Sequence, residues 1–196
     1  MAKNSGWINS VRLPDGVDLG EVHRRDSPNF DDRPASTSIS LLVMHYISLP
    51  ANKFSGSCVE DFFLNRLDVT AHDSFEQLAA VKVSAHFFLR RNGQLIQFVD
   101  CDKRAWHAGV SKFLGTERCN DFSIGIEIEG SGEYSYTKKQ YQRLAKLTKL
   151  LCVFYPLKYV AGHSDIAPER KQDPGPHFDW ATYLKSVEST GLARPF

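Results

Sequence analysis

The segment SIGIEIE at positions 123–129 constrains the fold more than any other part of this sequence. Its three isoleucines alternate with a glycine and two glutamates, and a two-residue period is that of a β-strand with one apolar face. Such a face is stable only when another layer of structure covers it. We therefore expect residues 123–129 to belong to a sheet whose isoleucine face packs into a core.

Further strands are predicted on both sides of this segment. The apolar run at 39–44, which ends in His45, and the run at 159–162 are typical of strands that are covered on both faces. The Asn92-Gly93 pair lies between two strand-like runs within 84–99, and Asn-Gly is a strong hairpin signal.

One long helix and two short ones are predicted. Thr137 followed three residues later by Gln140 is a capping-box pattern, and apolar residues then recur at helical spacing to about Phe154. Pro156 ends this helix. Shorter helices are expected at about 59–67 and at about 179–188.

The chain length favours one domain. With 196 residues, 42% of them hydrophobic, the chain is long enough for one core and short for two. Residues 1–38 are polar and interrupted by proline, so we expect an extended arm that Trp7, Ile8, Val11 and Leu13 anchor on the domain. The predicted organisation is an arm at 1–38, a domain at 39–188 and a tail at 189–196.

Composition excludes several classes of protein. The 24 Lys and Arg residues nearly balance the 23 Asp and Glu residues, so the chain lacks the positive field of a nucleic-acid-binding protein. No apolar run approaches the roughly 20 residues of a membrane span. The N-terminal segment also lacks the apolar core of a signal peptide. We expect a cytoplasmic monomer with no nucleic-acid or membrane partner, whose four cysteines are reduced and structural.

Three candidate metal ligands lie where the chain changes from regular to irregular structure, two of them at the ends of predicted buried strands and the third before a Pro-Gly turn. They are His45, His163 and Asp173. Two imidazoles and a carboxylate fill three positions of a tetrahedral zinc site and leave the fourth for water, which is typical of catalytic zinc. The alternative is that each histidine is a hydrogen-bonded loop or core residue, and His86 is the first substitute ligand.

Glu127 and Glu129 are candidate catalytic carboxylates. The flanking Gly125 and Gly130 would leave room for a ligand to approach this face of the strand. One carboxylate beside a metal-bound water is sufficient for hydrolysis. Two carboxylates would also suit a glycosidase, and on an edge strand the pair would simply be solvated.

The segment 162–176 concentrates charged residues in a predicted loop. Lys171 in this loop could stabilise an oxyanion if it lies close to a metal. The alternative is that Arg170 and Lys171 are surface cations that pair with Asp165 or Glu169. Trp106 and His107, in a loop of small residues, would suit the lining of a sugar or peptide groove.

Six segments together resemble the AmpD family of 1,6-anhydro-N-acetylmuramoyl-L-alanine amidases. They are LLVMHYISLP (41–50), VSAHFF (83–88), RAWHAGVS (104–111), ERCNDFSIGIEIEG (117–130), GHSDIAP (162–168) and RKQDPGPHFDW (170–180). The segments occur in the order found in the family, and the resemblance covers roughly residues 20–185.

The resemblance implies an α/β fold with a central mixed β-sheet flanked by helices, as in the related peptidoglycan-recognition proteins. It implies one zinc ion bound by His45, His163 and Asp173, with Glu127 as the catalytic carboxylate and Lys171 as the cation that stabilises the transition state. It also implies that Trp106, His107 and Arg118 border the substrate. The substrate would be an anhydro-muropeptide, cleaved between the lactyl group and L-Ala during cell-wall recycling.

The chain departs from the family pattern at a few positions. Tyr46 stands where relatives often have Asn, Lys82 where Arg is usual, and Glu169 and Gln172 where Gly and Thr are common. These positions concern substrate contacts and loop conformation, and an Arg-to-Lys change would lose bidentate binding of a carboxylate. Because relatives of this fold can bind muropeptides without cutting them, a non-catalytic binding module is the main alternative function.

Overall fold

Six strands form one mixed sheet in the computed structural model, which describes residues 6–8 and 18–196. In chain order, the strands of the described residues, including four outside this sheet, are β1 (Val22–Arg24), β2 (Phe30–Asp31), β3 (Leu41–Ile47), β4 (Phe87–Leu89), β5 (Leu95–Gln97), β6 (Arg104–Ala105), β7 (Lys112–Phe113), β8 (Thr116–Glu117), β9 (Ser123–Glu129) and β10 (Tyr159–Gly162). The helices are α1 (Cys58–Phe63), α2 (Lys138–Phe154), α3 (His163–Ile166) and α4 (Trp180–Val187), with 3₁₀ turns at Asp73–Leu78, Cys119–Phe122 and Glu188–Thr190.

The strand order of the sheet is β1-β5-β4-β9-β3-β10. β4, β9, β3 and β10 run parallel to one another, whereas β5 is antiparallel to β4 and β1 is parallel to β5. Helices cover the sheet, so the expected α/β fold with a central mixed sheet is confirmed. β2 pairs with β6, and β7 with β8, outside this sheet.

The two faces of the sheet bury different residues because side chains alternate along each strand. The isoleucines of β9 lie on the face covered by α2 and α4, together with Leu42 and Met44 of β3. Helix α2 begins with the predicted capping box, in which Gln140 N–H donates to Thr137 Oγ1 (3.1 Å) and Thr137 N–H donates to Gln140 Oε1 (2.9 Å). Leu147 of this helix is fully buried, and burying one leucine contributes about 1.5–3 kcal/mol.

The opposite face of the sheet carries His45 and Glu127. His45 follows Leu41 and Val43 on this face of β3, and Glu127 lies opposite His45 in the β3–β9 register. β10 pairs with β3 in parallel, with Gly162 opposite Met44. The carboxyl ends of β3, β9 and β10 therefore meet at one edge of the sheet.

Most predicted elements are confirmed, and their boundaries differ in two places. The first buried strand extends over Leu41–Ile47 instead of 39–44, so His45 lies within it, because β9 pairs with β3 for seven residues. The first short helix ends at Phe63 instead of Leu67. The hairpin, the strand at 159–162 and the helices at 138–154 and 180–187 match the predictions.

The predicted arm contributes to the sheet. β1 pairs with β5 at the sheet edge, and neither β1 nor β2 was predicted, because two or three residues show no periodicity. The backbone N–H of Ile8 donates to Gln97 Oε1 (2.8 Å), and the guanidinium of Arg24 lies 3.8 Å from the centre of the Trp7 ring. The other predicted anchors, Val11 and Leu13, lie outside the described residues.

None of the helices in the described part of the chain is both long and apolar enough to span a bilayer.

Candidate metal centre and catalytic cavity

The structure brings His45, His163 and Asp173 together, although His45 and His163 are 118 residues apart in the chain. His45 projects from β3, and His163 directly follows β10, the neighbouring parallel strand. Asp173 lies beyond α3 and returns to the strand end, where its carbonyl oxygen accepts from Ser164 N–H (2.8 Å). Gly162 permits this return, since a Cβ there would come within 2.6 Å of Pro174 Cδ.

Three potential ligand atoms form a compact triangle. His45 Nδ1 lies 2.9 Å from His163 Nδ1, and Asp173 Oδ2 lies 3.0 Å and 3.1 Å from these two nitrogens. All three residues are buried, with 1–7% of their surface exposed. Ligand atoms of a tetrahedral zinc site with bonds of about 2.0–2.1 Å lie about 3.3 Å apart, so small shifts would fit the triangle to zinc.

The surroundings of His163 indicate that its Nδ1 faces the carboxylate of Asp173 with a lone pair and not with a proton. His163 Nε2 lies 3.1 Å from the carbonyl oxygen of Ala108, which only accepts hydrogen bonds. The proton of a neutral His163 is therefore on Nε2, and Nδ1 presents a lone pair to the carboxylate. Because two lone pairs at this distance repel, the triangle is suited to holding a cation.

Electrostatics favour the protonation states that a metal centre requires. Burial lowers the pKa of His45 to about 4, so its imidazole is neutral at pH 7. Metals bind neutral imidazoles and ionised carboxylates.

Glu127 lies beside the triangle, on the strand next to His45. Its Oε2 is buried and has no hydrogen-bond partner among the described residues. Burial raises the pKa of Glu127 well above its usual value, the negative charge of Asp173 raises it further, and Lys171 opposes the shift. A buried carboxyl oxygen without a partner costs free energy, and active sites are where such costs are found.

A cavity of about 550 Å³ opens beside Glu127, His163 and Asp173. Glu127, Lys171 and Asp173 form part of its polar lining, and Trp106 and His107 also line it. Arg118 is not among the described residues that line this cavity. It is exposed, and its Nε lies 3.1 Å from Asp121 Oδ2.

The space above Gly125 is filled by the protein itself, so the prediction of room for a ligand there was wrong. A Cβ at Gly125 would lie 2.4 Å from Cγ of His107, and one at Gly130 would lie 2.7 Å from a carbon of the Tyr136 ring. The missing Cβ atoms of these two glycines leave space for the rings of His107 and Tyr136. His107 is buried, which lowers the pKa of its ring well below the usual value and keeps it neutral.

The alternatives for the other charged residues are also resolved by contacts. Glu129 is buried, accepts from Arg91 N–H (2.8 Å) and pairs with Arg90 (3.4 Å), and the described lining of the cavity does not include it. Arg170 donates to the carbonyl oxygens of Ala108 (3.1 Å) and Val110 (2.6 Å), whereas Asp165 pairs with Arg194 (2.9 Å). The pairing of Arg170 with Asp165 was therefore wrong.

His86, the substitute ligand named from the sequence, is instead a hydrogen-bonded core residue. Its Nδ1 accepts from Gly125 N–H (3.0 Å), and its Nε2 lies 3.0 Å from the carbonyl oxygen of Lys103. Arg33, from the arm, donates to the carbonyl oxygens of Ser123 (2.7 Å) and Asp121 (2.8 Å).

Two parts of the site were not predicted from the sequence. One is the apolar wall of the cavity, which includes Phe62, Leu78 and Val81. The other is the pair of contacts made by His107, whose Nδ1 lies 3.0 Å from His45 Nε2 and whose Nε2 lies 3.3 Å from Ser123 Oγ. The small residues around His107 indicated a groove but gave no signal of these partners.

Comparison with known proteins gives a consistent result. Residues 35–176 match the family model Amidase_2, described as N-acetylmuramoyl-L-alanine amidase. The 1,6-anhydro-N-acetylmuramyl-L-alanine amidase AmpD of Escherichia coli K12 is 47% identical over 194 residues, which are 97% of this chain and 100% of that protein.

Solved structures agree with the sequence comparison. The crystal structure of a Se-Met AmpD derivative superposes with a TM-score of 0.84 at 45% identity and covers 95% of this chain and 99% of that one. The Escherichia coli amidase AmiD, solved with the substrate anhydro-N-acetylmuramic acid-L-Ala-D-gamma-Glu-L-Lys, has a TM-score of 0.56 at 29% identity. That match covers 84% of this chain and 66% of AmiD.

Proposed function

The chain belongs to the N-acetylmuramoyl-L-alanine amidase family Amidase_2, and from this premise we propose that it hydrolyses an anhydro-muropeptide. The bond cleaved is the amide between the lactyl group of 1,6-anhydro-N-acetylmuramic acid and the L-Ala of the stem peptide. The observation that carries the proposal is the buried triangle of His45, His163 and Asp173 beside a Glu127 carboxyl oxygen that has no hydrogen-bond partner in the described part of the chain. The similarity to AmpD supports the choice of substrate and a role in peptidoglycan recycling.

We assign His45, His163 and Asp173 as the ligands of one zinc ion. Two nitrogens and one oxygen are the donor set of catalytic zinc, which keeps a fourth position for water or substrate. Zinc bound there would polarise the scissile carbonyl and lower the pKa of a bound water from about 15.7 toward about 7.

Glu127 is the proposed general base and general acid. Its Oε2 accepts a proton from the attacking water and later delivers it to the departing amine of L-Ala. Glu127 lines the cavity, and its buried Oε2 receives no hydrogen bond from the described residues, so its capacity to accept one is left for a ligand or water that reaches it. The negative charge of Asp173 and burial both raise its affinity for the proton.

Lys171 is the proposed oxyanion-stabilising cation. It lines the same cavity as Glu127, and its positive charge lowers the pKa of that carboxyl and of His45. A fixed cation at this place would stabilise the tetrahedral oxygen that develops during attack. Loss of one such contact costs about 10²- to 10³-fold in turnover in a comparable enzyme.

The proposed substrate contacts follow from the residues that line the cavity. Trp106 and His107 line the cavity and would border the sugar or the peptide. Arg118 would contact the substrate only beyond the cavity, since it pairs with Asp121 at the surface. The apolar wall at Phe62 suits the methyl groups of the lactyl and alanyl units.

The two alternative functions make different predictions. A non-catalytic binding module would leave the muropeptide intact after zinc is supplied. The glycosidase alternative pairs Glu127 with Glu129, but Glu129 pairs with Arg90 and is not among the described residues that line the cavity. A glycosidase would also remain active in the presence of a chelator, and its products would have a cleaved glycosidic bond.

The decisive experiment combines metal analysis with mass spectrometry of products from an anhydro-muropeptide. We expect one zinc per chain, products cleaved at the lactyl–alanyl amide, and loss of activity with EDTA that zinc restores. Intact substrate in the presence of bound zinc would refute the amidase function.

Three variants assign the roles. Glu127→Ala should keep zinc and lose about 10²- to 10⁴-fold in turnover. His163→Ala should lose both zinc and turnover, whereas Glu133→Ala, a change at an exposed carboxylate outside the described cavity lining, should lose neither. A Glu127→Ala protein without zinc would contradict the assignment of Glu127 as a base.

The remaining organisation is also a proposal. We infer a monomer that acts in the cytoplasm, with an arm at 1–38, an amidase domain at 39–188 and a tail at 189–196. The β1 strand ties the arm to the central sheet, so we expect the arm and the domain to unfold together.

A further inference from the structure

The ring of His107 lies between strand β9 and the ring of His45. The two rings are edge-on, with centroids 5.1 Å apart, and His107 is 8% exposed. Its backbone N–H donates to Asn120 Oδ1 (3.2 Å), and its ring occupies the space that the missing Cβ of Gly125 leaves free. Packing and the backbone thus fix the position of this imidazole.

The hydrogen bonds around His107 determine which of its nitrogens carries the proton. Ser123 Oγ donates to the carbonyl oxygen of Cys119 (2.6 Å), because a carbonyl only accepts. The Ser123 hydroxyl has one proton, so toward His107 Nε2 (3.3 Å) it can only accept. The proton of the neutral His107 ring is therefore on Nε2, and Nδ1 has a lone pair.

This tautomer of His107 in turn determines that of His45. His107 Nδ1 lies 3.0 Å from His45 Nε2, and a lone pair on the first requires a proton on the second. A neutral His45 then presents a lone pair at Nδ1, the atom that faces His163 and Asp173. Each group in this series therefore donates to the next: His45 to His107, His107 to Ser123, and Ser123 to the carbonyl oxygen of Cys119.

We propose that His107 is a positioning residue that fixes the tautomer and the ring orientation of His45 for metal binding, with Ser123 fixing His107 in turn. The proposal rests on the metal centre proposed above. Partners that accept the second N–H of a ligand histidine commonly contribute 10- to 100-fold to metal affinity. The Ala108 carbonyl oxygen plays the same part for His163. Each of the two imidazoles thus has an acceptor for the N–H that points away from the triangle.

Metal affinity of matched variants tests the proposal. His107→Leu removes the acceptor but fills the space, and we expect zinc affinity, measured by competition with a chelator of known affinity, to fall about 10- to 100-fold. His107→Asn places its amide oxygen near the former Nδ1, so it should stay within about threefold of wild type. Circular dichroism controls for folding of each variant.

Proton positions give a second measurement that needs no variant. Long-range ¹H–¹⁵N spectra of wild-type protein, with and without zinc, should show His107 protonated at Nε2. They should also show the His45 proton at Nε2. In Ser123→Ala the His107 ring loses its acceptor, and we expect a mixture of tautomers together with weaker zinc binding.

Two results would overturn the proposal while leaving the amidase function intact: zinc affinity of His107→Leu equal to that of wild type, or a proton on His107 Nδ1. If His107→Leu fails to fold, the wild-type spectra and Ser123→Ala still decide. A wild-type protein that binds no zinc would instead refute the proposed metal centre.

Discussion

The core beside the ring of His107 contains a second buried histidine, His86, whose neutrality makes the stability of the protein depend on pH. His86 is fully buried, and burial and the positive charge of Arg33 lower its pKa to about 3. Its Nδ1 accepts from Gly125 N–H, so protonation at this nitrogen would also break a hydrogen bond. In the unfolded chain the same ring has a pKa of about 6.5.

The direction and size of the effect follow from these two pKa values. Between pH 6.5 and pH 3 the unfolded state binds a proton at this residue and the folded state does not, so acidification favours unfolding. Each pH unit below 6.5 costs about 1.4 kcal/mol. The contribution of His86 to stability is complete above about pH 6.5, and about 2 kcal/mol of it is lost by pH 5.

Urea denaturation of wild type and His86→Gln at pH 7 and pH 5 measures this contribution. A chelator is present in every sample, because metal binding is itself pH dependent. The free energy of unfolding should fall by about 2 kcal/mol more in wild type than in the variant between these two pH values. The matched control is His177→Gln, a change at an exposed histidine, which should retain the wild-type pH dependence. Equal pH dependence in wild type and His86→Gln, within about 0.5 kcal/mol, would refute the reasoning.

Three further changes test the packing and the geometry of the fold. Tyr183→Phe leaves the buried Thr148 hydroxyl without its 2.9 Å partner, so we expect a loss of about 1–3 kcal/mol in urea denaturation. Thr137→Ala removes the side-chain cap of α2 and should cost about 1 kcal/mol in the same assay, whereas an unchanged midpoint would contradict the capping role. Gly162→Ala places a Cβ within 2.6 Å of Pro174 Cδ and should displace the carboxylate of Asp173, which we propose as a zinc ligand, so zinc affinity should fall; unchanged affinity would show that the turn adapts.

The sequence by itself determined those parts of the protein that depend on neighbours in the chain. The isoleucines of β9, the Asn92-Gly93 hairpin and the Thr137 capping box were all predicted correctly, because periodicity and turn chemistry are local. Short elements were missed: β1 has three residues, and it is a strand only because β5 lies beside it.

The candidate site divides in the same way. Residue types and their positions in the chain made His45, His163 and Asp173 candidate ligands. Glu127 and Lys171 were candidate catalytic groups on the same basis, and the resemblance to a family then selected the whole set. Only the tertiary structure decided that the three ligand atoms converge to about 3 Å, since the parallel register of β3 and β10 joins residues 118 positions apart.

Tertiary packing also decided the role of Gly125, the glycine of β9. The sequence predicted room for a ligand at Gly125, whereas in the fold this space is occupied by the ring of His107, which contacts His45. A hydrogen bond between side chains 62 residues apart leaves no local pattern, because it depends on how loops return to the sheet. The sequence therefore determined which side chains are available for chemistry, and the fold determined which of them touch.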